Sequence, residues 1–287
     1  MVVVFFLLVL LNARSYSRAP TVVNAVDVTS YAIFGIESIE SGGARPLEGK
    51  VTNIRAILKS GTYAVSNVHT WKIDVDLTRR GQSMDFNSLL FDKASVTRLL
   101  TCDRQTGIVY TLEEESPMLQ PVVILPHPFT CEWMTRDQAS VVVGGRGSLV
   151  LRIPDALDHR PTSMDWEKVW NIVMAQVAGA LPEAQCVLYS ALRVGWVVVP
   201  NVAGRGSEAV VVIMGGTATV MQLKWPEAVE GRFLTDCNFV PDGLETSIIA
   251  YRHEKMKNSG SSITVITLQD GVTTRSLRGR WSCPLCA

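Results

Sequence analysis

The sequence is short of charge and short of chemistry-bearing motifs. Only 19% of its 287 residues are Asp, Glu, Lys or Arg, and these cancel to a formal net charge of zero. No basic stripe is interleaved with aromatics, which argues against a nucleic-acid surface. Gly144-Gly145-Arg146-Gly147 and Gly204-Arg205-Gly206-Ser207 are glycine-rich but do not follow the Walker pattern, and they read as turns. There is no G-x-S-x-G segment for a serine hydrolase. The four histidines, His69, His127, His159 and His253, show no metal-ligand spacing. Cys283 and Cys286 form a lone C-x-x-C with no second pair to complete four zinc ligands, which leaves a tail disulfide or two exposed thiols. Six cysteines are too few for a disulfide-dense scaffold in a chain of this length. Cys102, Cys131, Cys186 and Cys237 stand singly near apolar runs and read as small core residues; one disulfide is allowed, but its pairing cannot be deduced. No N-x-[ST] sequon is present to indicate a compartment.

What the chain does have is apolar residues, at 47%, in short runs. That content suits a folded protein, and the length allows one large all-β domain or two smaller ones. From Ile54 onward, runs recur around Ile57, Trp71, Leu89, Leu99, Val109, Val123, Val142 and Leu151. Spacing near ten residues predicts a sandwich, barrel or propeller. The stretch from Leu99 to Trp133 carries the clearest pattern. Its apolar run meets a turn, Asp103-Arg104-Gln105-Thr106-Gly107, then Ile108-Val109-Tyr110, which reads as a hairpin. Further strands follow at Pro121–Leu125 and Ser140–Val143, and acids stand at strand ends. More strands are expected at Cys186–Tyr189, Trp196–Val199, Ala209–Met214, Ala218–Leu223, Asn238–Val240, Ser247–Tyr251 and Ile263–Thr267. One helical interruption is expected near residues 163–180. Trp166, Val169, Trp170, Val173, Met174 and Val177 fall there at helical spacing, as a core-packing stripe capped by Ser163 or Asp165.

The N-terminus opens with a ten-residue apolar run, Val2 to Leu11, followed by small residues Ala13 and Ser15. This suits a signal-peptide core over residues 1–15 and is too short for an ordinary membrane span. No Lys or Arg precedes it, so a buried strand is the alternative, and an uncleaved signal left as a membrane tether is a third. Residues 16–50, with breakers Gly42-Gly43 and Pro46, read as an irregular linker or stem. The remaining division is a domain over 51–280 and a tail over 281–287.

An ordered set of segments carries a family resemblance. Gly81-Gln82-Ser83-Met84-Asp85 resembles a G-R-G-M-E segment. Cys102-Asp103-Arg104-Gln105-Thr106-Gly107-Ile108-Val109-Tyr110 resembles D-D-R-T-G-x-V-Y. Glu132-Trp133 and the strand ending at Gly144-Gly145-Arg146-Gly147 resemble E-W and V-G-G-x-G. Asp165-Trp166 through Asn171, Gly195 through Pro200, Asn238 through Pro241 and Ile248 through Ala250 continue the order, up to about Gly279. Together they resemble the calcium-activated nucleotidases, the bed-bug-type apyrases. The resemblance implies an all-β five-bladed β-propeller with one helical insertion. It also implies calcium-dependent hydrolysis of nucleoside di- and triphosphates such as GDP, UDP and ADP, in the secretory pathway or outside the cell.

Site residues follow by position. Asp85 and Asp103 stand as catalytic acids. Glu132, Gln185, Thr235 and Asp236 stand as Ca²⁺ ligands. Glu254 and Arg205 stand as substrate-binding groups. Hard Ca²⁺ wants six to eight oxygens, several of them charged. Gln185 replaces a family Glu, and Arg278 lies where the last family Glu would be. A missing carboxylate and an added cation both weaken calcium binding. A catalytically inactive propeller serving as a binding or interaction module is therefore the alternative function.

Overall fold

The computed structural model describes residues 9–12, 28–38, 47–57, 62–73, 86–91, 98–113, 118–126, 129–155, 157, 160–203, 205–225, 232–240, 244–254, 262–268 and 273–277. These residues are almost entirely strand, with one α-helix. The first sheet contains β1 (Val9–Asn12), β2 (Val28–Ser38), β3 (Leu47–Ile57) and β4 (Thr62–Ile73). The second contains β5 (Phe86–Phe91), β6 (Arg98–Asp103), β7 (Ile108–Glu113) and β8 (Leu119–Ile124). The third contains β9 (Trp133–Arg136), β10 (Ser140–Gly144), β11 (Leu149–Pro154) and β12 (Thr162–Asp165). In each, consecutive strands pair antiparallel in a meander.

After the helix α1 (Glu167–Gln176) comes a nine-stranded sheet. Its members are β13 (Ala180–Ser190), β14 (Gly195–Val202), β15 (Gly206–Ser207), β16 (Ala209–Met214) and β17 (Thr217–Gln222), then β18 (Arg232–Phe239), β19 (Ser247–Glu254), β20 (Ser262–Thr267) and β21 (Thr273–Leu277). Within it β13-β14-β16-β17 and β18-β19-β20-β21 are each antiparallel runs. The two-residue β15 pairs antiparallel with β14 and parallel with β18, and so joins the two runs.

The first strands of these meanders meet one another. β1 touches β5 and β18, β5 touches β9, β9 touches β13, and β13 touches β18. The sheets therefore radiate from their first strands in a β-propeller arrangement. Faces of neighbouring sheets are covered, so inner and middle strands are apolar without alternation. β14 is buried along its whole length and β10 likewise. At the rim the pattern reverts to half-exposed: β17 alternates exposed and partly buried residues, and β12 is mostly exposed. Between the third sheet and the sheet that follows, Trp133, Trp166, Trp170, Val173, Val177 and Trp196 share one apolar cluster. The Trp166 and Trp196 rings meet edge to face at 4.6 Å, an arrangement that aromatic quadrupoles favour.

Four local expectations change. The helix is shorter than residues 163–180: β12 occupies Thr162–Asp165 and β13 begins at Ala180. Ser163 and Asp165 do not cap it, because they pair with Leu151 and Leu149 in the sheet; Trp166 is the N-cap and makes no side-chain cap bond. Met174, placed on the core stripe, is 47% exposed. Residues 16–50 are not irregular throughout, since β2 and the start of β3 pair from Val28↔Ile57 to Ser38↔Leu47. Val28, Tyr31, Ile33, Phe34 and Ile36 supply the β-branched and aromatic residues that strands favour. Val9–Asn12 of the N-terminal run also pairs, with Phe34 through Tyr31. No helix among the described residues is long and apolar enough to cross a membrane.

Candidate functional site

The predicted hairpin is present. β6 ends at Asp103, residues 104–107 turn, and β7 starts at Ile108. Gly107 closes the turn with φ of 65° and donates its N–H to the Asp103 carbonyl at 2.9 Å. Glycine takes that backbone conformation without a Cβ penalty. The Asp103 carboxylate is 2% exposed and faces the turn. It accepts from the Gln105 N–H at 3.4 Å, the Thr106 N–H at 3.3 Å and the Thr106 hydroxyl at 2.5 Å. This is an Asx-type turn that holds the loop in shape. Burial, then the nearby Asp103 charge, pushes the Tyr110 hydroxyl above its ordinary pKa, since both disfavour the phenolate.

Glu132 lies directly before β9, where its N–H donates to the Gly144 carbonyl at 2.8 Å. The register Gly144↔Trp133 explains the glycine: a Cβ there would collide with the Trp133 indole. The Glu132 side chain is 2% exposed and does not stand alone. Its Oε1 accepts from Arg104 Nε at 3.2 Å, Arg104 Nη2 at 3.0 Å and Arg146 Nε at 3.4 Å. Two guanidiniums therefore converge on one carboxylate oxygen. Arg104 is 26% exposed and Arg146 65% exposed, so the cluster opens to solvent on its cationic side. Beneath it Cys102 and Cys131, the neighbours of Asp103 and Glu132, are fully buried in one apolar cluster. Burial first, then the hydrogen bond with Cys102 and the charges of Glu132 and Asp103, pushes the Cys131 thiol up.

Asp103 and Glu132 are thus brought to the same hairpin end, where Arg104, next to Asp103 in the chain, bonds Glu132. The remaining positions are spread over other strands. Gln185 falls in β13, Thr235 and Asp236 in β18, and Glu254 at the end of β19. Asp236 is buried, at a register irregularity between Leu234 and itself, and its Oδ1 accepts from the Cys237 N–H at 2.9 Å. Arg205 pairs with Glu208 at 3.0 Å and donates to the Ala178 carbonyl at 3.3 Å. Asp85 and the side chains of Gln185, Thr235 and Glu254 lie outside the described residues. Among the described residues, no group of three or more His, Cys, Asp or Glu is placed to hold a metal.

Arg104 and Arg146 are the site residues that sequence reasoning passed over as turn residues. The β9–β10 pairing ends at Gly144↔Trp133, and the chain leaves it on both sides with Glu132 and Arg146 close in sequence to that last pair. The arrangement around Glu132 does not fit Ca²⁺. Its Oε1 accepts from two cations, and a divalent ion at that oxygen would have to displace both and meet their repulsion. The two carboxylates and two guanidiniums at the hairpin end balance in formal charge, with the guanidiniums on the solvent side and the carboxylates buried.

No family model matches the sequence, and no curated protein matches it. Among solved structures, the chain is similar to one described as YCF48 bound to D1 peptide, at 7% identity. That alignment has a TM-score of 0.36 and covers 86% of this chain and 76% of that one.

Proposed function

We propose that this chain is a five-bladed propeller of the calcium-activated nucleotidase kind that acts as a binding module instead of a hydrolase. Support for five blades comes from the ring of first strands, β1, β5, β9, β13 and β18, and from the division of the nine-stranded sheet at β15. The observation that carries the functional reading is Glu132 Oε1 shared by Arg104 and Arg146. A carboxylate neutralised in this way supplies little of the negative charge that a calcium shell needs. The experiment is phosphate release from GDP, UDP and ADP, with calcium and with chelator. The expected result is no chelator-sensitive release. Rapid release that calcium restores after chelation would overturn the reading.

A second reading keeps the activity: calcium-dependent diphosphatase action, with Ca²⁺ on the propeller axis. It is favoured by strand placement. Glu132 directly precedes β9, Gln185 lies in β13, and Thr235 and Asp236 lie in β18, all of them first strands of their meanders. On that reading Glu132→Ala abolishes calcium binding measured by calorimetry. On the module reading there is no binding to abolish. Location in the secretory pathway or outside the cell belongs to either reading. It is supported by the Cys186–Cys237 disulfide, a bond that oxidising compartments maintain. The pairing of β1 with β2 favours the strand alternative for the N-terminal run.

A further inference from the structure

Exposed large hydrophobic side chains are few among the described residues, and half of them gather at one end of the molecule. Leu192 and Val194 are 62% and 63% exposed, Leu244 is 62% exposed and Met214 38%. Leu192 and Val194 stand in the turn between β13 and β14, and Leu244 precedes β19. Met214 ends β16 opposite Gly195, where an added Cβ would lie 3.0 Å from Met214 Cγ. The β13–β14 turn is clamped to the segment before β19. Glu245 accepts from the Ala191 N–H at 3.2 Å and from the Ser190 hydroxyl. The Ser190 oxygen accepts from the Arg193 N–H at 3.0 Å, and Arg193 Nη1 donates to the Glu245 carbonyl at 3.0 Å. Val194 and Glu245 both take the left-handed backbone, with φ of 48° and 49°, which is costly for a β-branched residue. The fold thus holds a valine out in solvent under strain.

We infer that these turns are a membrane-contact tip, which inserts its aliphatic side chains into the interface of a lipid bilayer. Three observations favour lipid over protein. The polar groups of the clamp are satisfied within it, as burial against hydrocarbon requires, and at the β16–β17 turn the Thr217 hydroxyl donates to the Met214 carbonyl at 2.8 Å. Among the described residues of these turns the charges are Arg193 and Glu245, which pair at 3.6 Å, so the tip is neutral and needs no anionic lipid. From their exposures the four side chains offer roughly 400 Å², about half of what each partner in a stable protein complex buries. A fluid bilayer has no shape to match, and each inserted side chain gains in proportion to its own area. β15 and Cys186–Cys237 join the two meanders that carry the turns, so the tip is preformed. The inference is independent of whether the chain hydrolyses nucleotides.

The test is flotation of the full chain with vesicles of phosphatidylcholine alone and of phosphatidylcholine with phosphatidylserine. The expected result is binding to both that persists as salt is raised. The double variant Leu192→Ser with Leu244→Ser should lower the bound fraction at least about fivefold. Val194→Asn, which suits the left-handed backbone, should lower it too while melting no lower than the wild type. Ile124→Ser, at a 74%-exposed position on β8, should leave binding unchanged. If the double variant does not fold, Val194→Asn against Ile124→Ser decides. No flotation of the wild type would overturn the inference, as would flotation that needs phosphatidylserine and fails at high salt. An equal loss in Ile124→Ser would overturn it too. So would self-association in sedimentation that the double variant abolishes, with no vesicle binding, since a second copy then covers the tip.

Discussion

Cys186 and Cys237 are joined where β13 meets β18, while Cys102 in β6 and Cys131 at the entry to β9 remain free thiols in one apolar cluster. The surroundings differ as much as the sulfurs do. The first pair sits among Leu188, Val197, Val199, Val210, Leu234 and Ile248, an apolar cluster. The second pair is apolar below and charged above, with Asp103, Arg104, Glu132 and Arg146 at the hairpin end. The first junction is held by a covalent bond and hydrophobic burial. The second adds a buried carboxylate whose cost of desolvation must be offset by its guanidinium partners. A charged group therefore sits at the less cross-linked of the two junctions, where its removal or titration is felt directly.

The largest break in this comparison comes from opening the covalent junction. Cys186→Ala with Cys237→Ala removes a bond that spans 51 residues. It should cost about 4 kcal/mol by the loop-entropy relation, read as a lower denaturant midpoint in equilibrium unfolding.

Next comes the charged junction. Arg104→Ala leaves the buried Glu132 carboxylate with its more exposed partner only, and should cost about 3 kcal/mol. Arg146→Ala removes the 65%-exposed partner and should cost less than about 1 kcal/mol. Equal costs would show that the two guanidiniums share the carboxylate evenly.

At neutral pH the smallest effect is titration. The folded Cys131 thiol is pushed above its ordinary value, so at high pH the unfolded chain loses this proton first. The unfolded state then binds fewer protons, and stability falls as pH rises. The loss begins near the ordinary thiol pKa of about 8.5 and has a slope of up to about 1.4 kcal/mol per pH unit. Tyr110 adds a loss of the same sign above about pH 10. Denaturant unfolding between pH 7 and about 11 measures both losses. Cys131→Ala should remove the thiol contribution and leave that of Tyr110.

Much of the fold was legible because its signals are local. The runs at Ser140–Val143, Ala209–Met214 and Ser247–Tyr251 are β-branched or aromatic enough to be strands anywhere, and Gly107 marks its turn. The tryptophan stripe of α1 shows its role through helical spacing, and Trp166 and Trp170 do enter the core. What was not legible depends on pairing between distant strands. Nothing beside Glu132 in the sequence announces Arg146, fourteen residues away, until the β9–β10 register is known. The cysteine pairing is hidden for the same reason, since it needs β13 laid against β18. The helix start was misplaced because Ser163 and Asp165 are good caps locally, while the tertiary pairing with β11 claims them as strand. The strands in residues 16–50 were hidden by Gly42-Gly43 and Pro46, which fall between β2 and β3 and outside both.

The short strand β15 has a consequence for how the molecule comes apart. Neighbouring sheets in this arrangement meet mainly through side chains, whose contacts can be surrendered one sheet at a time. β15 instead shares main-chain hydrogen bonds with β14 and with β18. The last two meanders are stitched through their backbones and again through Cys186–Cys237. They therefore behave as one cooperative unit in partial unfolding, and their amides exchange with solvent as a block. A seam of two residues thus sets the grain along which the propeller opens.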